Sequence, residues 1–339
     1  MRPPSTHERL LLRAALLPPQ AAAAAYAQWK AAGCRLESAN YPCQRLFPQL
    51  YANLRGHIEF GADEPILKGV WRYNVAHNGR LATATAPLLR ALGEAGVEML
   101  VVGGAGLLLT RYANTGLRGL ERLEVAVPFA HVSLALDCLE KLEWSASGVS
   151  DCGYLCRSPQ GVTVMLFVGP FPFSVWPGDE RAQVHSVDWN GLACRTLSPP
   201  DALVHLCASA TIHGSDTLDW ALDAAVLLEG LDLERAGSQA RHHRLEPALA
   251  RLLSLLAQVG LSVPALDLRV GAMERLAYHV RARPLWMEPF WASYLDDLRG
   301  LRLGPIGAPG RFLECLRHRW GLARRRQVPG RLPTRLFRR

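Results

Sequence analysis

The stretch GVEMLVVGGAGLLLTRYANTGLRGLERLEVAVP, residues 96–128, decides how the rest of this 339-residue chain is interpreted. Its apolar pattern predicts a buried strand over 97–102, a turn at Gly103–Gly104, a helix over about 105–112 and a second strand over about 123–127. A strand that leads through paired glycines to a helix N-terminus can hold an anion on free backbone N–H groups. Paired glycines serve close packing at such a turn equally often, so both interpretations stay open here.

Composition indicates an ordinary globular chain with two or three subdomains, since 49% of its residues are apolar. No segment is long and uniform enough to span a membrane, and the N-terminus lacks the pattern of a secretion signal, so we expect a cytoplasmic protein. The eight cysteines are scattered without a Cys-x-x-Cys pair. Reduced, mostly buried thiols are therefore favoured over a zinc site.

Helical periodicity and proline breaks divide the chain into an N-terminal helical region (1–95), an α/β core (96–200) and a C-terminal helical region (201–303). A Gly/Pro hinge and a basic tail follow at 304–339, and ten arginines face one acid from Arg311 onward. Such a tail can contact an acidic protein partner, anionic lipid or nucleic acid. A solvated or partner-facing tail is favoured over a specific nucleic-acid site.

The central stretch resembles the uncharacterised nucleotidyltransferase family of the polymerase-beta-like superfamily. The resemblance rests on a Gly-rich turn, then an aromatic residue (Tyr112), then Gly116-x-Arg118. In that family the turn faces the nucleotide phosphates, and an Asp-x-Asp on the next strand holds two magnesium ions. The resemblance implies a nucleotide-binding site formed by Gly103, Gly104, Tyr112, Arg118 and Asp223.

Other phrases extend the resemblance to most of the chain. LFPQLYANL at 46–54 matches a family phrase, and so does a helix that bears Asn78 just before the first strand. The family's closing helix carries Leu-x-Trp-x-x-Asp, which Leu218, Trp220 and Asp223 match. Asp223 would either approach the nucleotide or, as we prefer, pair with an arginine such as Arg118 and fix its helix on the sheet. The implied fold class is α+β, with a small mixed-sheet nucleotidyltransferase-type core flanked by N- and C-terminal helical regions.

The chain departs from the family where the two aspartates would stand, because Arg122 and Glu124 occupy those positions. Residues two apart on a strand share a face, so a guanidinium takes the place of a metal-binding carboxylate and would oppose a cation on Glu124. Glu121 would need a β-bulge to join that face. The later strand at 162–168, where active relatives carry a third acid, has none. Catalytic candidates are thus Glu124, Arg122 and Glu121, with Glu124 as the sole Mg²⁺ ligand.

Two functions follow from the resemblance. In the first, the protein binds a nucleoside triphosphate and transfers a nucleoside monophosphate to an unknown small molecule, peptide or protein, through an impaired metal site. In the second, it is a pseudoenzyme that acts as a binding or scaffold protein in a biosynthetic pathway, and Arg122 is a permanent ion-pair partner for Glu124. The discriminating feature is whether Glu124 and another acid converge on a cation. A weaker third idea is a peripheral membrane or nucleic-acid protein that uses the basic tail.

Overall fold

The computed structural model describes residues 3–150, 153–171, 182–212, 218–243 and 245–263, together with residues 266, 268 and 271. Helices form the N-terminal region and return after the strands, as the sequence predicts. In chain order they are α1 (Thr6–Leu16), α2 (Pro19–Ala31), α3 (Tyr41–Gln44), α4 (Phe47–Leu54), α5 (Glu64–Glu94), α6 (Gly103–Thr110), α7 (Val132–Lys141), α8 (Pro199–Ile212), α9 (Asp219–Leu228), α10 (Leu233–His242) and α11 (Glu246–Val259).

Five strands form a mixed sheet, and two more form a separate hairpin. The strands are β1 (Leu100–Val102), β2 (Leu123–Val127), β3 (Ser145–Ser150), β4 (Gly153–Arg157), β5 (Thr163–Val168), β6 (Val184–Trp189) and β7 (Leu192–Leu197). The sheet order is β1-β2-β5-β4-β3. Strands β2 and β5 run parallel, and the other neighbours are antiparallel. The predicted α+β class, a small mixed sheet flanked by helices, is confirmed.

The first strand is shorter than predicted, because its initial residues have other partners. Val97 donates its backbone N–H to Leu92 at the end of α5 at 2.9 Å, and Glu98 donates its backbone N–H to Nδ1 of His131 at 3.0 Å. Regular pairing with β2 therefore begins only at Leu100. Helix α6 likewise begins and ends two residues earlier than the predicted 105–112, since its first turn includes both glycines.

The predicted strand over 123–127 is confirmed at both ends, and the strand predicted over 162–168 is observed as β5, one residue shorter. Strands β3 and β6 were not predicted. Strand β3 has the sequence SASGVS, which is small and weakly β-forming. Strand β6 is mostly exposed and shows no apolar alternation. Both strands form because an adjacent strand is available for pairing, which a local pattern does not reveal.

A single large cluster of buried apolar side chains runs from α1 through the sheet to α11. No helix in the described ranges combines the length and the apolar content needed to cross a membrane. The hinge and basic tail predicted for 304–339 lie outside the described residues, and the proposed division into regions stays a prediction.

Candidate functional site

The glycine turn and strand β2 meet where the sequence places the candidate site. Strands β1 and β2 pair so that Val102 lies opposite Glu124. The next residue, Gly103, has a φ of +61°, and a Cβ atom there would collide with the Glu124 carboxylate. Glycine is therefore required at this position for two reasons, its left-handed backbone and the close approach of a side chain.

Arg122, the residue just before β2, forms an ion pair with Glu124 of that strand. The guanidinium Nε lies 3.5 Å from Oε1 of Glu124, and the two side chains are 28% and 18% exposed. This distance is too long for a good hydrogen bond, and the buried Nε–H of Arg122 has no hydrogen-bond partner in the part of the chain that the structure describes. The pair is electrostatic, and it leaves one guanidinium donor unused.

The residues around Glu124 do not fit a pair of magnesium ions. On the parallel neighbour β5, Met165 lies in register with Glu124 and is only 2% exposed. Glu121 accepts a hydrogen bond from the Tyr41 hydroxyl at 2.6 Å, which holds it at α3. Across the described ranges, no group of three His, Cys, Asp or Glu side chains could hold a metal ion. A thioether and a guanidinium stand beside the one carboxylate, and neither is a ligand that magnesium accepts.

Arg118 lies in a buried network with carboxylates of α9. Its Nε and Nη2 bind the two oxygens of Asp223 at 3.0 and 3.1 Å, and its Nη1 lies 3.0 Å from Asp219. The Tyr112 hydroxyl also donates to Asp223, at 2.7 Å. A Cβ atom at Gly104 would stand 3.2 Å from Nη2 of Arg118. The geometry therefore joins four of the five residues assigned to nucleotide binding, and it contains the Arg118–Asp223 pair that the sequence favoured.

Burial and the neighbouring carboxylates together shift the pKa values of Arg118 and Tyr112. Burial alone would lower the pKa of Arg118, but the adjacent Asp219 and Asp223 carboxylates outweigh it and hold that pKa well above its ordinary value. Burial, followed by the charge of Asp223, raises the pKa of Tyr112 well above its usual range. Arg118 is thus permanently charged with all three guanidinium nitrogens on protein acceptors, one of them the Gly119 carbonyl. Its role toward phosphate stays a prediction.

The network extends to a residue that sequence reasoning missed. Arg45, just before α4, binds Asp219 through Nη2 at 2.6 Å and through Nε at 3.0 and 3.2 Å. The same Nη2 donates to the Gly119 carbonyl at 2.5 Å. Asp219 precedes Asp223 by four residues, so helical spacing alone could have placed both carboxylates on one face. No local signal indicates Arg45, because its partner is 174 residues away.

Helix α5 holds the connection that carries Arg118. Asn78 donates to the carbonyls of Thr115 and Arg118 at 2.7 and 2.8 Å and accepts from the Leu120 N–H at 3.0 Å. One turn earlier, Asn74 donates to the Gly116 carbonyl at 3.1 Å. These amides substitute for the sheet pairing that an irregular connection lacks. Asn78, which the sequence analysis matches to a family phrase, thus acts as a clamp that holds the segment between α6 and β2 in place.

Comparison with known proteins agrees with this architecture. A family model described as "Uncharacterised nucleotidyltransferase" matches residues 43–260, which is more than half of the chain. No curated protein matches the chain in sequence.

Three solved structures show a distant likeness. The antibiotic-resistance factor ANT(2'')-Ia in solution shares 15% identity over 54% of this chain and 96% of its own, at a TM-score of 0.39. A crystal structure of ANT(2'')-Ia with adenylyl-2''-tobramycin shares 16% identity over 51% of this chain and 97% of its own, at a TM-score of 0.35. An antigenic nucleotidyltransferase-like protein from Paracoccidioides brasiliensis shares 16% identity over 56% of this chain and 97% of its own, at a TM-score of 0.34. At these scores, no residue role is transferred from these proteins.

Proposed function

We propose, given that the chain belongs to the uncharacterised nucleotidyltransferase family, that it binds a nucleotide without magnesium and acts as a binding protein instead of a nucleotidyltransferase. The single observation that carries this proposal is the Arg122 guanidinium, 3.5 Å from Glu124 on the strand that faces the glycine turn. It supplies a fixed positive charge where a metal-binding carboxylate would otherwise stand.

A guanidinium is well suited to a phosphate, because it offers several N–H donors and stays charged at every physiological pH. The Arg122 side chain is 28% exposed, so a ligand can reach part of it. Its Nε–H is buried and has no hydrogen-bond partner among the described residues, so a small shift of the side chain would be needed to offer this donor to a phosphate oxygen. The free N–H groups at the start of α6 would add a second set of donors beside Gly103. Cytoplasmic location and an acidic partner for the basic tail belong to the same proposal.

Transfer chemistry is disfavoured by the same residues. Two-metal catalysis needs carboxylates that hold both ions against the attacking and leaving oxygens. Here Glu124 is paired with Arg122, which lies just before β2, and has Met165 in register on the neighbouring strand. Losing electrostatic stabilisation of this kind costs a reaction about 3 to 4 kcal/mol or more, which corresponds to a rate reduction of at least about a hundredfold.

One observation favours a second candidate, nucleotidyl transfer to an unknown acceptor with Mg²⁺ on Glu124. The Glu124 carboxylate lies directly against the Gly103 turn, which is where a metal-holding group beside the phosphates would be needed. The acceptor would be a small molecule, a peptide or a protein. In this candidate Glu124 assists binding, whereas in the favoured one it competes with the phosphate for Arg122.

The two candidate functions therefore predict opposite effects of changing Glu124 on nucleotide binding, which gives a direct test. ATP, GTP, CTP and UTP are titrated calorimetrically into the wild type, Arg122→Gln and Glu124→Gln, first with magnesium and then with EDTA. A partly exposed, loosely paired ion pair such as this one contributes up to about 1 kcal/mol, so freeing Arg122 through Glu124→Gln should tighten metal-free binding by up to about fivefold. Arg122→Gln should weaken it about tenfold or more, since a charge-assisted hydrogen bond is lost. Arg90→Ala, at an exposed position of α5, is the matched control.

The alternatives predict different results. Binding that requires magnesium and is abolished by Glu124→Gln would establish the transferase candidate, and an acceptor search would follow. No binding of any nucleotide, with or without metal, would refute nucleotide recognition and leave the scaffold interpretation, in which the ligand is a protein or peptide.

A further inference from the structure

A pocket of about 260 Å³ lies between helix α6, the β6–β7 hairpin and helices α8 and α9. Its walls are predominantly apolar. The apolar lining side chains are those of Val102, Leu107, Leu197, Pro199, Ala202 and Leu227.

Polar groups occur at only a few points of this pocket. Arg111, at the end of α6, is half-buried, and its guanidinium has no hydrogen bond or ion pair in the part of the chain that the structure describes. His185 of β6 adds an exposed imidazole, and Thr196 of β7 contributes a hydroxyl while its residue is only 2% exposed. An arginine without a carboxylate partner beside apolar walls leaves a positive charge that a ligand can neutralise.

The pocket is separate from the Arg122–Glu124 site. Gly103 lines it, but Glu124 and Arg118, which approach the glycine turn from the sheet and the connection, do not. Close packing defines the wall between α6 and β7, because a Cβ atom at Gly106 would collide with the Thr196 hydroxyl. The two sites thus share the glycine turn and differ in their other residues.

Size limits the ligand. An apolar cavity of about 150 Å³ accommodates benzene, so about 260 Å³ accommodates one ring with a short side chain. A nucleoside triphosphate is too large and too highly charged for it. We propose that this pocket binds a small carboxylate with an aromatic or short aliphatic body, the carboxylate on Arg111 and the body against Leu107 and Leu227. This inference is independent of nucleotide binding.

The test compares 3-phenylpropionate with its neutral analogue 3-phenylpropan-1-ol, each titrated into the full chain and followed by ligand-observed NMR. The acid should bind at least about tenfold more tightly than the alcohol, which is the effect of one charge-assisted hydrogen-bonded pair. Arg111→Gln should abolish that preference, and Arg111→Lys should retain part of it. Arg195→Gln, an exposed β7 position next to Thr196 that does not line the pocket, is the matched control.

A second variant tests the location. Ala202→Leu places three additional carbon atoms in the pocket from α8, and it should block both probes while nucleotide titration stays unchanged. Circular dichroism melting of each variant identifies any loss of folding. Equal affinity of wild type for acid and alcohol, absence of binding by the acid, or unchanged binding by a folded Ala202→Leu variant would each overturn the proposal. If nucleotide binding fails and the acid still binds in this way, only the proposed function is lost.

Discussion

Asp223→Asn should destabilise the protein strongly, because it leaves a buried arginine without one of its two carboxylates. Arg118, Arg45, Asp219 and Asp223 together balance two positive charges with two negative ones, and their side chains are at most 11% exposed. After the substitution Asp219 must serve both arginines. Removing one partner from a buried ion pair costs about 3 to 5 kcal/mol. Asparagine keeps one acceptor for Tyr112 or Arg118, so we expect about 3 kcal/mol, at the lower end of that range.

Urea unfolding followed by tryptophan fluorescence measures this loss. Asp137→Asn, at an exposed position of α7, makes the same chemical change away from any buried arginine and should cost less than about 0.5 kcal/mol. The double variant Arg118→Gln with Asp223→Asn restores neutrality, so its cost should fall below the sum of the two single costs by more than about 1 kcal/mol. If Asp223→Asn unfolds at the same urea concentration as Asp137→Asn, the network does not act as a stabilising unit. The same conclusion would follow if the cost of the double variant equalled the sum of the two single costs.

Three further results are expected. Asn78→Ala should lower the free energy of unfolding by about 2 to 3 kcal/mol in urea titrations, because three backbone groups lose their hydrogen-bond partner. Thr83→Ala, at an exposed position farther along α5, should be nearly neutral, and equal effects of the two substitutions would contradict the role of Asn78. Iodoacetamide mapped by mass spectrometry at pH 8 should label half-exposed Cys34 well before Cys156, whose pKa burial raises to about 12, and the reverse order would contradict the buried thiol. Burial lowers the pKa of His205 from 6.5 to about 4, so between these pH values the unfolded chain binds a proton that the folded chain does not. The free energy of unfolding should therefore fall by about 3 kcal/mol as the pH is lowered from 6.5 to 4. The His205→Gln variant should show a weaker pH dependence, and an unchanged pH dependence would assign it to other groups.

The sequence predicted those parts of the fold whose signal is local. Strand β2 was bounded correctly because a short apolar run in a buried strand is distinctive and ends at Pro128, which cannot donate to a sheet. The Arg118–Asp223 pair followed from a family phrase and from elementary charge complementarity. The α+β class followed from the family resemblance, which covers most of the chain.

The rest of the site depends on long-range contacts that a single sequence does not display. Arg45 reaches Asp219 across 174 positions, and neither residue carries a local signature of its partner. Strand β3 has small, weakly β-forming residues and exists because β4 offers a free edge. The register that sets Met165 beside Glu124 is likewise a property of strand pairing, which periodicity cannot fix between distant segments.

The parallel register of β2 and β5 also bears on how this site can change over evolutionary time. Arg122→Asp alone would put two carboxylates two residues apart, one just before β2 and one at Glu124, which is the spacing of a cation-binding pair. Met165→Asp alone would place a carboxylate at a position only 2% exposed while the Arg122 guanidinium still repels an incoming cation. The two positions are therefore coupled, and any gain of metal ligands at this site is ordered: position 122 has to change before an acid at position 165 can be tolerated.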